Sequence, residues 1–297
     1  MKLTVIGTTF VDIKGYPLGR FVPTGRNAGR MQQFYGGVSR NIAEDIAHYG
    51  VDVDFVSLVD DSGIGLDVVN HLKSIGVNTQ YVNASEDGMG TWMAIFDQTG
   101  DVYASISKRP HLLPICDILE ASGDDIFSDT DAILLEIDID EEIVDKTFEL
   151  ARKFNKPVYS VISNITVALE RMSYIMQSEC FICNKQEASE FFAVSEDELS
   201  TPEEALNILQ SQLATLPLSS MVVTLSHDGA VYSSNTESGI TEAKKVKVVD
   251  TTGAGDSFFA GVSIGLASGK SLADSCELGN EMASKVIQSV GNVYTTD

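Results

Sequence analysis

The chain has 297 residues, of which 43% are hydrophobic, with a formal net charge of −23 and a pI near 4.4. Mean hydropathy is +0.05, and no apolar run approaches the roughly 20 residues that a membrane span needs. So acidic a balance disfavours nucleic acid and anionic membranes as partners, since both require a basic face. It leaves a small anion open, because local dipoles or a metal ion can outweigh the global field.

The opening MKLTVIG reads as a first strand entering a turn, without the apolar core and small-residue cleavage site of a signal peptide. Residues 12–35 follow, rich in Gly and Pro and poor in helix signals. Apolar runs then alternate with segments of helical period: SRNIAEDIAHYG, VDVDFVSLV, GLDVVNHLKSIG, DAILLEI, EEIVDKTFELARKF, KPVYSVI, ECFICN, TPEEALNILQSQL, SMVVTLS and GDSFFAGVSIGLASG. This order predicts an α/β fold, an open and mostly parallel sheet with helices on both faces. Gly50, Gly76 and Gly269 stand where helices should stop.

Residues 88–107, GMGTWMAIFDQTGDVYASIS, alternate apolar and polar around Gln98-Thr99-Gly100, a hairpin signal. The economical arrangement is one domain over 1–297, with 12–35 and 88–107 forming a small sheet appended to it or a flap over a site. Residues 117–145 hold twelve acids and no Lys or Arg, and read as a solvated surface around the single buried strand DAILLEI.

Of the four cysteines, Cys180 and Cys183 share a C-x-x-C spacing, but no second close pair accompanies them. A buried strand with ordinary thiols is expected, and with it a reducing, cytoplasmic address. GLASGKS at 265–271 is one residue short of a P-loop and follows a helix, so Gly269 is expected to end that helix and Ser271 to cap the next. The first turn, GTTFVDIKG, lacks the G-x-G-x-x-G of a dinucleotide fold. No G-x-S-x-G elbow supports a hydrolase.

VVDTTGAGDSFFAG, residues 248–261, carries the most chemistry. A turn over Gly253-Ala254-Gly255 leads into a helix predicted from Asp256 to Ser268. The first N–H groups of a helix lack internal partners, and glycine leaves them accessible, so the turn suits an anion. Asp256 could simply stabilise the helix start. It could also accept a proton from an attacking hydroxyl while the turn holds negative charge on a transferring phosphoryl group.

DTTGAGDSFFAG resembles the C-terminal signature of the ribokinase-like, or PfkB-type, sugar and nucleoside kinases. YGGVSRNIAEDIAHYG resembles the family's N-terminal Gly-Gly motif, and VDDSGIGLDVVNHLKSIGV, CNKQE, VVTLSHDGA and LGNEMASKVIQSVGN match further segments in family order. The resemblance implies an open α/β sheet with a small β lid, which the segments 12–35 and 88–107 fit. It implies Asp256 as catalytic base and Gly253, Ala254 and Gly255 as anion hole. Asp12, Gly36, Gly37 and Asn41 would hold the acceptor's hydroxyls. Asn184 and Glu187 would organise Mg2+ and its waters, and Thr224, Ser226, Gly229 and Asn280 would lie on the ATP side. Asp250 and Thr252 would border a K+ site. Pairing of subunits through the lid would give a homodimer.

The Arg before Asn41 is most like the pseudouridine kinases, which makes pseudouridine the expected acceptor, with ribose, fructose derivatives and adenosine as alternatives. A relative that binds sugar or nucleotide but turns over poorly is the other expectation. PVYSVISNITVAL lacks the Asp-Pro pair and following Lys common in relatives, and Ser226 stands where relatives often have Gly.

Overall fold

The computed structural model describes residues 1–97, 102–289 and 291–295. The first half contains β1 (Lys2–Ile6), β2 (Phe10–Pro17), β3 (Gly29–Gly36), α1 (Val38–Tyr49), β4 (Asp52–Val59), α2 (Gly63–Ser74), β5 (Val82–Ala84), β6 (Gly90–Phe96), β7 (Val102–Lys108) and α3 (Ile115–Ser128). The second half contains β8 (Ala132–Glu136), α4 (Glu141–Phe154), β9 (Val158–Val161), α5 (Ile165–Glu170), α6 (Met172–Ile175), β10 (Cys180–Asn184), α7 (Lys185–Phe192), α8 (Pro202–Leu213), β11 (Ser220–Thr224), β12 (Ala230–Ser234), β13 (Ser238–Thr241), α9 (Ala254–Ala267) and α10 (Leu272–Val286).

Nine strands form one sheet in the order β13-β12-β11-β10-β9-β8-β1-β4-β5. All its pairings are parallel except those of β12 with β11 and with β13. Helices cover both faces, so the inner strands are unbroken apolar runs; every residue of AILLE in β8 is buried. The strand order switches sides at β1, which lies between β4 and β8 and runs parallel to both. Such a switch point opens a crevice at the carboxyl ends of the strands, where ligands of open α/β sheets bind.

The remaining strands form a second sheet, β3-β2-β6-β7. Residues 12–35 therefore contain two strands, and β6 pairs antiparallel with β7 as the hairpin pattern predicts. The turn at Gln98-Thr99-Gly100 lies outside the described residues. Cys180 and Cys183 are buried in β10. Gly269 ends α9 with φ +76°, and Ser271 caps α10 by accepting the Asp274 N–H at 3.0 Å.

Two expectations need correction. Residues 117–145 are more than a surface around one strand, because α3 buries Ile115, Ile118, Leu119, Ile126 and Phe127 on one helical face. The acids of its outer face obscured that period. α9 also starts two residues before the predicted Asp256. The break is Gly253 alone, at φ +79°, and Ala254 and Gly255 are already helical.

Candidate active site

At the head of α9, Gly253 occupies the left-handed region, and a side chain there would place Cβ 2.0 Å from the Asn292 carbonyl oxygen. Only glycine tolerates both conditions. A Cβ at Gly255 would meet open space, so the first turn is unobstructed from that side. The Ala254 N–H donates to the Thr251 carbonyl at 3.3 Å. Those of Gly255 and Asp256 precede any partner in the helical ladder and remain the natural anion donors.

Asp256 is the third helical residue, half-buried beside this turn. Asn41 Nδ2 donates to its Oδ2 at 2.6 Å. Desolvation pushes the carboxyl up to about 7, helped by the charge of Glu136 and opposed by Asn41 and Arg40. An acid so poised titrates near neutrality and is matched to accepting a hydroxyl proton.

Asn41 is locked from its other side. Its Oδ1 accepts from Arg40 and from Asn292 Nδ2, the latter at 3.1 Å. Arg40 is 1% exposed and also donates to Glu44, to the Tyr35 carbonyl at 2.7 Å and to the Gly36 carbonyl at 3.2 Å. Glu44 in turn meets His71 Nε2 at 2.9 Å. A buried guanidinium is tolerable only with its donors satisfied. Here that satisfaction orients the amide whose Nδ2 faces Asp256.

Asp12 lies on β2, opposite Phe34 and Trp92 in register. A Cβ at Gly36 would sit 2.8 Å from the Asp12 carboxylate, so that acid closes over the glycine backbone. Burial raises the Asp12 carboxyl against the lowering charges of Lys14 and Arg40. Gly37 has φ +97°, and its Cβ would meet the Thr8 carbonyl at 2.8 Å. The structure thus groups Asp12, Gly36, Gly37, Asn41 and Asp256.

The second group sits at the ends of β10 and β11, where Asn184 and Thr224 are register partners. Asn184 and Glu187 form a capping box on α7: Asn184 Oδ1 accepts the Glu187 N–H at 2.9 Å, and Glu187 Oε2 accepts the Asn184 N–H at 2.7 Å. Burial, with repulsion from Asp138, holds the Glu187 carboxyl above its ordinary value. Beyond β11, Ser226 adopts φ +58° and Gly229 φ +90°. The departure from Gly at 226 therefore falls on a left-handed backbone position. Gly229 packs against Thr241, and Asn280 donates to the Glu242 carbonyl at 3.2 Å, so both flank the segment after β13. Asp250 Oδ1 accepts from the Thr252 N–H at 2.9 Å and its hydroxyl at 2.8 Å. Burial opposes ionisation there, but those bonds and Lys14 outweigh it and lower the carboxyl.

The sequence reading missed Glu136, Asp138 and Asp45. Glu136 is 2% exposed and accepts from the Thr8 N–H, the Thr8 hydroxyl, the Ser39 hydroxyl and the Ser163 hydroxyl at 2.8–3.1 Å. Asp138 accepts the Ser163 N–H at 2.9 Å. Burial raises both carboxyls, and the charge of Asp138 raises Glu136 further. Of the twelve acids in that stretch, Glu136 is therefore buried and Asp138 partly so. The available signal was an acid closing the otherwise apolar run DAILLE. Asp45, fully buried, accepts the Ser257 hydroxyl at 2.6 Å and ties α1 to α9.

Asp256, Glu136, Asp138 and Glu187 thus form a succession of carboxylates linked by mutual repulsion. Among the described residues, no three His, Cys, Asp or Glu side chains form a cluster able to hold a metal ion. Such a donor set fits Mg2+ carried mainly by phosphate oxygens and water, with carboxylates nearby. A cavity of about 400 Å³ opens at the carboxyl ends of β1, β8 and β9, between Thr8, Glu136, Asp138, Ser163, Arg109 and Arg171. Lys108, beside Arg109, is instead paired with Asp87 at 2.6 Å.

A helix-start turn open to an anion, with a titratable acid facing it, is the apparatus of a phosphotransferase. The whole chain, residues 1–297, matches the pfkB family carbohydrate kinases and belongs to that family. It is 36% identical over 295 residues to the guanosine-inosine kinase of Exiguobacterium acetylicum, covering 98% of this chain and 96% of that one. It is 23% identical to the pseudouridine kinase of Escherichia coli (strain K12), covering 92% and 86% respectively. A solved structure of Arabidopsis thaliana ribokinase with ribose and ATP superposes with a TM-score of 0.83 at 20% identity, covering 97% and 93%. That last likeness establishes the ribokinase-like fold. No helix among the described residues is long and apolar enough to cross a membrane.

Proposed function

We propose that this kinase transfers the γ-phosphoryl group of ATP to the 5′-hydroxyl of a nucleoside, with guanosine and inosine as preferred acceptors. The observation that carries the phosphotransfer is the Asp256 carboxyl, raised to about 7 and held by Asn41 beside the open first turn of α9. The similarity to a guanosine-inosine kinase over nearly the full length supports the acceptor class.

Asp12 and the backbone of Gly36 and Gly37 bind the ribose hydroxyls and turn the 5′-hydroxyl toward Asp256. Asp256 takes the hydroxyl proton as attack begins. The turn over Gly253, Ala254 and Gly255 leaves the N–H groups of Gly255 and Asp256 to hold negative charge on the transferring oxygens. Bound Mg2+ would supply neutralising charge at the nucleotide phosphates. Asn184 and Glu187 would hold it through water, while Thr224, Ser226, Gly229 and Asn280 line the nucleotide side. Asp250 and Thr252 border the site proposed for K+. The small sheet covers the acceptor and pairs two subunits through its exposed apolar side chains, among them Met31 at 74% and Ile106 at 68% exposure.

Pseudouridine is the second reading, favoured by the GGVSRN stretch and the similarity to a pseudouridine kinase. The test is ATP consumption with Mg2+ and K+ against guanosine, inosine, adenosine, pseudouridine, ribose and fructose, with Asp256→Asn alongside. Turnover of guanosine or inosine that the variant loses supports the proposal. Preference for pseudouridine or a free sugar replaces the acceptor, and ATP binding without turnover of any acceptor removes the enzymatic reading.

A further inference from the structure

We propose that the cavity at the ends of β1, β8 and β9 is the nucleobase subsite, and that Arg171 selects a 6-oxo purine there through O6 and N7. This inference rests on the nucleoside-kinase reading above. The cavity begins at Thr8 and Glu136. The Thr8 carbonyl packs against Gly37, so this wall of the cavity adjoins the proposed ribose position. A nucleoside with its 5′-hydroxyl at Asp256 and its sugar over Gly36 and Gly37 can project its base into this space.

The lining suits a base better than a second sugar. Phe10 and Ile139 supply apolar area, while charges of both signs stand in one wall system: Arg109 and Arg171 against Asp138 and Asp140. A heteroaromatic edge that changes from acceptor to donor within one ring matches both signs of charge.

Arg171 is the more enclosed of the two arginines. Its side chain is 14% exposed and makes one ion pair, at 3.3 Å, with Glu141, itself 55% exposed. Its Nε is buried without a hydrogen-bond partner among the described residues. Buried donors are normally satisfied, and an arginine with a spare Nε edge is suited to a planar pair of acceptors. Anchored only to an exposed acid, the guanidinium can turn to present that edge to a ligand. Guanine and hypoxanthine offer O6 and N7 side by side, the pair that arginine reads bidentately in nucleic acids. Their N1–H then meets the carboxylate side of the cavity. Adenine reverses both contacts, with an amino donor facing the guanidinium and an N1 acceptor facing the acids.

The test measures kcat/KM of the wild-type enzyme for guanosine, inosine, adenosine and 7-deazaguanosine, and repeats the series with Arg171→Gln. The expected wild-type result is a preference for guanosine over 7-deazaguanosine of about tenfold or more. In the variant the guanosine-to-adenosine ratio falls about ten- to a hundredfold. Equal use of guanosine and 7-deazaguanosine overturns the assignment, as does an Arg171→Gln enzyme that keeps the wild-type ratio. The 7-deaza comparison needs no variant, so it decides the matter even if Arg171→Gln misfolds. If the wild type phosphorylates no purine nucleoside, the acceptor reading falls and this inference with it; guanosine turnover indifferent to N7 and to Arg171 sinks the inference alone.

Discussion

The two sheets are built on opposite terms. In the nine-stranded sheet β8, which ends at Glu136, is buried at every residue, and the packed helices α1 and α9 anchor Asn41 and Asp256. In the four-stranded sheet β7 is exposed at every residue. The first can hold a carboxylate at a fixed height against the cost of its desolvation. The second contributes little to the common core and can move without unfolding the rest. A phosphotransferase needs both, a rigid frame for the transfer and a cover that admits the acceptor.

The largest expected effect lies on the rigid side. Asp256→Asn keeps an acceptor for Asn41 but not the proton acceptor for the hydroxyl, so kcat falls about a thousandfold while ATP affinity, read by calorimetry, changes little. The same variant has an opposite effect on stability. The raised pKa means that the folded state holds an extra proton between the ordinary value of 3.8 and about 7. Wild-type stability therefore declines as pH rises through that window. Melting curves at pH 5 and pH 8 should show Asp256→Asn gaining on the wild type at the higher pH.

Arg40→Met comes next. It leaves the buried Glu44 without its guanidinium and removes one of the two donors to Asn41 Oδ1, and urea unfolding should report a loss of about 3–5 kcal/mol. Arg30→Met on the exposed strand β3 is the paired control, expected within about 0.5 kcal/mol of wild type. If both variants cost the same, the contrast between the sheets is wrong. Gly253→Ala forces a Cβ against Asn292 and displaces the anion-holding turn, and should lower kcat about a hundredfold, the scale of losing one oxyanion-type donor. The smallest effect belongs to Ile106→Ser. It should leave the melting temperature unchanged and shift the mass seen by light scattering toward the monomer; a mass that does not change would remove the proposed subunit contact.

Much of the rigid side was legible in the sequence. Strands such as DAILLEI and SMVVTLS announce double burial by their continuity, and GAGD announces its turn because glycine is the residue such a backbone requires. The end of the predicted turn was misjudged because Ala254 and Gly255 carry no local mark distinguishing loop from first helical turn. Ile115–Ser128 was hidden because its acids dominate the composition while its apolar stripe is only one face. Asn41 was legible as a site residue, but its bond to Asp256 joins positions 215 apart, which no local pattern encodes. Glu136 and Asp138 were lost among solvated acids for the same reason: their burial depends on Thr8, Ser39 and Ser163, brought in from three other segments.

The most direct test of the account is the pH dependence of kcat/KM for the best nucleoside acceptor, with ATP saturating. If Asp256 is the base, the rate falls about tenfold per unit of pH below an apparent pKa near 7, set by its burial and by Glu136, and this limb disappears in Asp256→Asn along with most of the activity. A wild-type rate that stays level from pH 5.5 to 8.5, or an Asp256→Asn enzyme that retains both activity and the limb, would contradict it.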